Sequence, residues 1–322
     1  MTGMWKRAAA FGMMTAVCAA AAAPQASAPQ QARATNEQAV EEIVVTARRT
    51  GIPVWRVTGP KTSIVLIGSI EGVSKDTRWD PGALTDTLRK ADRVMFPSMV
   101  GLTASPFAIF GIIWQARKMA TLPKGQTLAQ FMPADQFQRL VALKNRGVLK
   151  AGFERSHPLV VAEDLRDAAK GKRGYGPGAG QYVERAAKKY KLKRVPITSY
   201  KAKPILKDFF ASPPRNYVPC LLSAVTLAEA GPGAVKEHSD AWAQRRVPDV
   251  LASPAEKTAE ACSPKNWGII PNTDLRPLMR RLMTEPQLTV AVVSLGSLAR
   301  PGGVLDDLSA AGFDIQGPRW KR

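Results

Sequence analysis

Few side chains in this sequence have both the type and the spacing for chemistry. The first is Glu71, which ends Gly68-Ser69-Ile70-Glu71 directly after the apolar run Ile64-Val65-Leu66-Ile67. A carboxylate just past a strand can bind a hard cation or act as a base; without partners it is a solvated residue at a strand end. A similar tetrapeptide, Gly296-Ser297-Leu298-Ala299, follows the apolar run Leu288 to Leu295 but ends on a methyl group. The only two histidines, His157 and His238, have no partner at ligand spacing and read as ordinary surface or capping residues. Because a metal centre needs several converging donors, neither a metal nor another cofactor is expected.

Three cysteines are present. Cys18 lies in an N-terminal segment with the layout of a secretory signal. Lys6 and Arg7 form a basic start, Ala8 to Ala23 an apolar core, and Ala26-Ser27-Ala28 a small-x-small cleavage site, with the alanines near Ala22 as the alternative because Pro29 follows the later cut. Val17, immediately before Cys18, argues against lipidation. Cleavage leaves Cys220 and Cys262, which have one intramolecular pairing open to them in a compartment where disulfides persist. That bond would be worth about 4 kcal/mol in the chain-entropy model; two buried free thiols are the other reading. Neither belongs to a Cys-x-x-Cys pair of the kind that holds zinc.

Residues 1–28 are thus read as a signal peptide, 29–50 as a flexible leader and 51–322 as one domain, in the periplasm or outside the cell. No later stretch reads as long enough to cross a bilayer; the best, Pro106 to Trp114, is about half the ~20 residues a spanning helix needs, so no transmembrane segment is expected in the mature chain. The formal charge of +20 attracts anions. Export makes nucleic acid an unexpected partner and points to an anionic envelope component, such as lipopolysaccharide, phospholipid head groups or acidic wall polymers, or to an envelope protein. A basic balance is also common as plain solvated surface.

The elements that must position these residues alternate. Val54 to Val57 and Ser63 to Ile67 read as a hairpin around Gly59-Pro60-Lys61. A helix over Leu84 to Ala91 leads to a strand at Arg93 to Phe96. Residues from Pro106 to about Lys150 are mostly helical, broken near Pro123 and Pro133. Further helices are predicted at Ala162 to Ala169, Gln181 to Tyr190, Leu221 to Ala230, Ala234 to Trp242, Pro254 to Ala261 and Leu275 to Met283, with strands at Val195 to Ile197 and Leu288 to Leu295. The pattern predicts an α/β fold: a mixed β-sheet with flanking helices and a helical insertion.

The order of these motifs resembles the TraB/GumN family, which includes the Tiki proteases and is related in fold to the erythromycin-esterase and haem-binding ChaN-like group. The similarity runs from about Val54 to Phe313. It rests on the Val54-Trp55-Arg56-Val57 opening strand, the Gly68 to Glu71 strand end, and Ala91-Asp92-Arg93-Val94. It also rests on Cys220 and Cys262 with the Trp242 helix between them, Arg276, and the closing segment Val290 to Gly312. The resemblance implies a divalent metal held by histidines of two Gly-x-x-His motifs and a carboxylate, activating water for hydrolysis. This chain departs from that pattern. Glu71 and Ala299 stand at the two histidine positions, Pro97 where a glutamate usually follows the strand, and Thr198 at the glutamate of a Leu-Glu-Thr motif.

The expected function is therefore a non-catalytic envelope binding protein, approached through basic surface around Lys170 to Arg173 and Lys188 to Arg194. The alternative is a metal-dependent protease or esterase with a rearranged ligand set built on Glu71 and carboxylates such as Asp164 or Glu184. A third reading concerns Glu41 to Ala47, which resembles the TonB box of outer-membrane receptors and could add a strand to a partner's sheet; it is otherwise a first strand or a linker.

Overall fold

Early in the described residues, side chains alternate between the core and the surface. In β1 (Val54–Thr58), Trp55 and Val57 are fully buried while Arg56 and Thr58 are partly exposed. In β2 (Ser63–Ser69) the run from Ile64 to Ile67 is buried on both faces, as a strand inside a sheet must be. The computed structural model describes residues 51–60, 62–97, 99–101, 106–171 and 174–321. The signal segment, the leader and Glu41 to Ala47 lie outside the described residues, as do Lys172 and Arg173 of the first basic patch.

After β3 (Val73–Ser74) come α1 (Gly82–Lys90), β4 (Arg93–Phe96), β5 (Met99–Gly101) and α2 (Pro106–Met119). Then follow α3 (Ala134–Asn145), α4 (Pro158–Ala169), β6 (Tyr175–Gly176), α5 (Ala179–Lys189), β7 (Lys193–Pro196), β8 (Ser199–Lys201) and α6 (Ala202–Ala211). The chain continues through α7 (Val218–Ala243), α8 (Val247–Ala252), α9 (Pro254–Ala261), α10 (Arg276–Leu282), β9 (Thr289–Ser294), α11 (Leu295–Ala299), α12 (Val304–Ala310) and β10 (Asp314–Gln316). The main sheet has the order β10-β1-β2-β9-β4-β7. Both partners of β1 are antiparallel to it, whereas β2, β9, β4 and β7 run parallel to one another. The fold is thus the α/β mixed sheet that the alternating pattern predicts.

Two apolar clusters organise the packing. One surrounds the sheet and includes Trp55, Leu66, Val292 and Trp242. The other is helical and includes Leu140, Leu165, Leu221 and Val225, together with Cys220 and Cys262. That second core is the helical insertion, and it contains a Cys220–Cys262 disulfide with Cα atoms 4.5 Å apart. Of the two cysteine readings, the structure has the bonded one.

Helix α7 joins the two clusters. The sequence separates it into two helices at Gly231-Pro232, and the chain does break there: Gly231 adopts φ 73°, a conformation open to glycine because it lacks a Cβ. Counted with the preceding turn, residues Pro214 to Ala243 are long and apolar enough by length and composition to cross a bilayer. The helix nonetheless packs along α4 and α9, and Leu221, Val225 and Trp242 on it are fully buried.

One expectation about the histidines needs correction. His157 does cap α4, its Nδ1 accepting from the Leu159 backbone N–H at 3.2 Å. Neither ring is on the surface, however: His157 is 3% exposed and His238 5%. The cause for His238 is its place on α7, where the face that looks polar in sequence turns toward α8 and α9. Strands β3, β5, β6, β8 and β10 were not expected because each is only two or three residues long, too short to show an alternating pattern.

Candidate functional site

Four parallel strands side by side put four carboxyl ends along one edge of the sheet, where open α/β folds build their binding crevices. Glu71 lies just beyond β2, Pro97 beyond β4, Thr198 beyond β7, and Gly296 and Ala299 beyond β9. The register pairs Ser69 with Ser294 across β2 and β9, and the Ile197 backbone N–H bonds to the Phe96 carbonyl at 2.8 Å. Topology therefore brings to one edge positions that are up to 228 residues apart in sequence (299 minus 71).

Between these strand ends and α5 lies a cleft of about 820 Å³ bordered by Glu71, Pro97, Tyr175, Glu184, Arg185 and Arg194. Two of its charges are already matched. The Glu71 carboxylate accepts from Arg166 Nη2 on α4, and the same guanidinium holds Glu163 through Nη1. Burial works against the Arg166 charge, but Glu71 and Glu163 outweigh it and the guanidinium stays protonated above its ordinary range. Burial also raises the Tyr175 phenol, and Glu71 adds to the shift. Glu184 pairs with Lys188 at 2.9 Å, and that hydrogen bond and charge hold its carboxyl below the usual range. Arg185 and Arg194 are exposed and form no ion pair with a described residue.

A hydrolytic metal does not fit the strand-end residues. Ala299 is buried and has no donor, Pro97 has none in its side chain, and Glu71 is engaged by a guanidinium. Among the described residues, no three His, Cys, Asp or Glu side chains gather as a ligand set. Of the carboxylates named for a rearranged set, Glu184 borders the cleft with Glu71, whereas Asp164 is an exposed residue of α4 away from its lining.

Of the two motif glycines, Gly68 is required by packing. Gly68 sits inside β2, where a Cβ would stand 2.6 Å from Leu295 Cδ1 and 3.0 Å from the Trp55 ring. Its carbonyl accepts from Trp242 Nε1 at 2.8 Å, which fixes α7 to the strand end. Arg276, at the first turn of α10, is gripped by Asp274 through two 2.9 Å hydrogen bonds. It borders a polar pocket of about 190 Å³ together with Lys265, Ser297 and Arg300.

Sequence reasoning missed Glu256, which packs under the second tetrapeptide. Ser253-Pro254-Ala255-Glu256 has the look of a helix start, and Ser253 does cap α9, accepting from the Glu256 N–H at 3.1 Å. The Glu256 side chain does not complete a capping box. It turns inward against Gly296, where a Cβ would lie 3.4 Å from Oε1, and Oε2 faces His238 Nε2 at 3.6 Å without a hydrogen bond.

Ser253 Oγ lies 2.8 Å from both the Val250 carbonyl and His238 Nδ1. When its one proton goes to the carbonyl it accepts from Nδ1–H, and in that tautomer the Nε2 lone pair faces Glu256. Burial, reinforced by the charges of Glu260 and Glu71, pushes the Glu256 carboxyl up to about 7, while burial lowers His238 to about 4. Between about pH 4 and pH 7 the two groups therefore face each other mostly uncharged, and above that range Glu256 becomes a buried anion.

A model of the TraB/PrgY/gumN family matches residues 53–317. No curated protein and no solved structure matches the chain.

Proposed function

The chain belongs to the TraB/PrgY/gumN family, and we propose that it is an exported member that binds an anionic envelope component at the strand-end cleft instead of hydrolysing a substrate with a metal. The observation that carries this reading is the state of Glu71. It is the one carboxylate at the motif positions, and Arg166 holds it as an ion pair, while Ala299, Pro97 and Thr198 offer no comparable ligand. The exposed guanidinium groups of Arg185 and Arg194, the latter also acting on Glu184, give the cleft its anion-seeking charge. The disulfide and the signal-like N-terminus both support an oxidising compartment outside the cytoplasm.

The test combines three measurements on purified protein: bound-metal content, a broad peptidase and esterase screen, and calorimetric titration with glycerol phosphate, the unit shared by phospholipid head groups and many acidic wall polymers. Expected are no stoichiometric metal, no hydrolysis, and glycerol phosphate binding that R185E/R194E weakens at least ten-fold. Metal-dependent cleavage that disappears in E71A would instead establish the rearranged hydrolase.

A further inference from the structure

Helix α2 presents an apolar stripe to solvent. Phe110 is 72% exposed, Ile113 45% and Trp114 65%, and with Arg117 they fall at positions i, i+3, i+4 and i+7, one face of a helix. Soluble proteins seldom leave large apolar side chains contiguous on the surface unless something covers them. The stripe ends on cations: Arg117 and Lys118 close the helix, and Lys118 Nζ lies 5.6 Å from the centre of the Trp114 ring. With its 14 residues the helix is about 21 Å long at 1.5 Å per residue, too short to span a bilayer but long enough to lie in its interface.

The surroundings match that chemistry. No residue from Arg93 to Ala134 is acidic. From Arg185 to Lys207 none is acidic either, and nine are lysine or arginine. The fold joins these two segments: β4 pairs with β7, β5 pairs with β8, and α2 packs beside α6. Helix α6 has no buried residue and carries Lys203 and Lys207 exposed, with Lys201 exposed just before it. Asp208 is the one acidic residue of α6 and is exposed beside Lys207, but Lys201, Lys203 and Lys207 outnumber it, and an aromatic stripe flanked by such net-basic surface is complementary to a layer of phosphate head groups over hydrocarbon. A protein partner matching the same face would need both a hydrophobic groove and a broad acidic rim.

We propose that α2, backed by the lysines of α6, is a docking face for an anionic lipid membrane, with Phe110, Ile113 and Trp114 inserted among the lipids and Lys118, Lys203 and Lys207 against phosphate. This stands independently of the cleft, whose probe above is a soluble phosphate ester.

The experiment is vesicle flotation of the full chain with phosphatidylglycerol–phosphatidylcholine or pure phosphatidylcholine liposomes, together with hydrogen exchange of peptides covering residues 106–119. All variants retain the N-terminal residues, so any contribution from those is common to each. Expected are at least ten-fold weaker partition of F110S/W114S to anionic vesicles, loss of preference for anionic lipid in K203E/K207E, and slowed exchange of 106–119 only when anionic vesicles are present. Because these side chains are exposed, both variants should melt with the parent protein. Unchanged partition and exchange in F110S/W114S would overturn the proposal. So would protection of the same peptides without lipid: concentration-dependent protection would mean a second copy covers the face, and concentration-independent protection another part of this chain.

Discussion

Glu256, His157 and His238 are the side chains whose protonation is moved furthest by burial. In the unfolded chain Glu256 is an ordinary carboxyl; in the fold it holds its proton up to about pH 7. Its folded value is raised, so its contribution is fully present below the unfolded value and is lost as pH rises through about 7. His157 and His238 have the opposite sign: both are lowered to about 4 by burial, and their contribution is present above the ordinary histidine range and lost as pH falls toward 4. In E256Q the first term disappears and the histidine terms remain. Urea unfolding should therefore find E256Q close to the parent near pH 4.5 and more stable by about 3 kcal/mol at pH 8. Equal stability at both pH values would mean that the carboxyl is solvated.

At the scale of elements, the strand-end edge depends on a contact of β1, β2, α7 and α11 at Gly68. Trp242 donates to its carbonyl, and Leu295 and Trp55 close over the place where a side chain would begin. Gly68→Ala is expected to cost about 1–3 kcal/mol, the usual range for overfilling a packed site, seen as a lower denaturation midpoint with an unchanged denaturant slope. This explains why glycine at a motif position remains although its chemical partner is absent. Gly296 is less confined: a Cβ there would only touch Glu256 Oε1 at 3.4 Å, so the packing demand falls on the first tetrapeptide.

At the scale of the whole molecule, the helical core and the sheet core share α7, and the Cys220–Cys262 bond ties the start of that helix to the end of α9. The loop it closes spans 42 residues of sequence separation. Breaking it as C220S/C262S should cost about 4 kcal/mol in the chain-entropy model. Thermal unfolding of parent and variant, with and without reductant, checks this. Reductant should lower the parent toward the variant and leave the variant unmoved.

The local pattern by itself determined the long buried strands, the helices between them, the break at Gly231 and the α/β class, because each of these is written in the spacing of apolar residues over at least a full element. It also placed Glu71, Pro97 and Thr198 just past strands and Ala299 in the tetrapeptide that follows the last long one. What it could not determine was their common location, which follows from the parallel order of β2, β9, β4 and β7 and hence from contacts between residues far apart in the chain. It could not find Glu256 or the burial of His238, since a Ser-Pro-x-Glu start reads locally as a cap. Only the packing of α9 against α7 and α11 turns that carboxyl away from water and toward an imidazole.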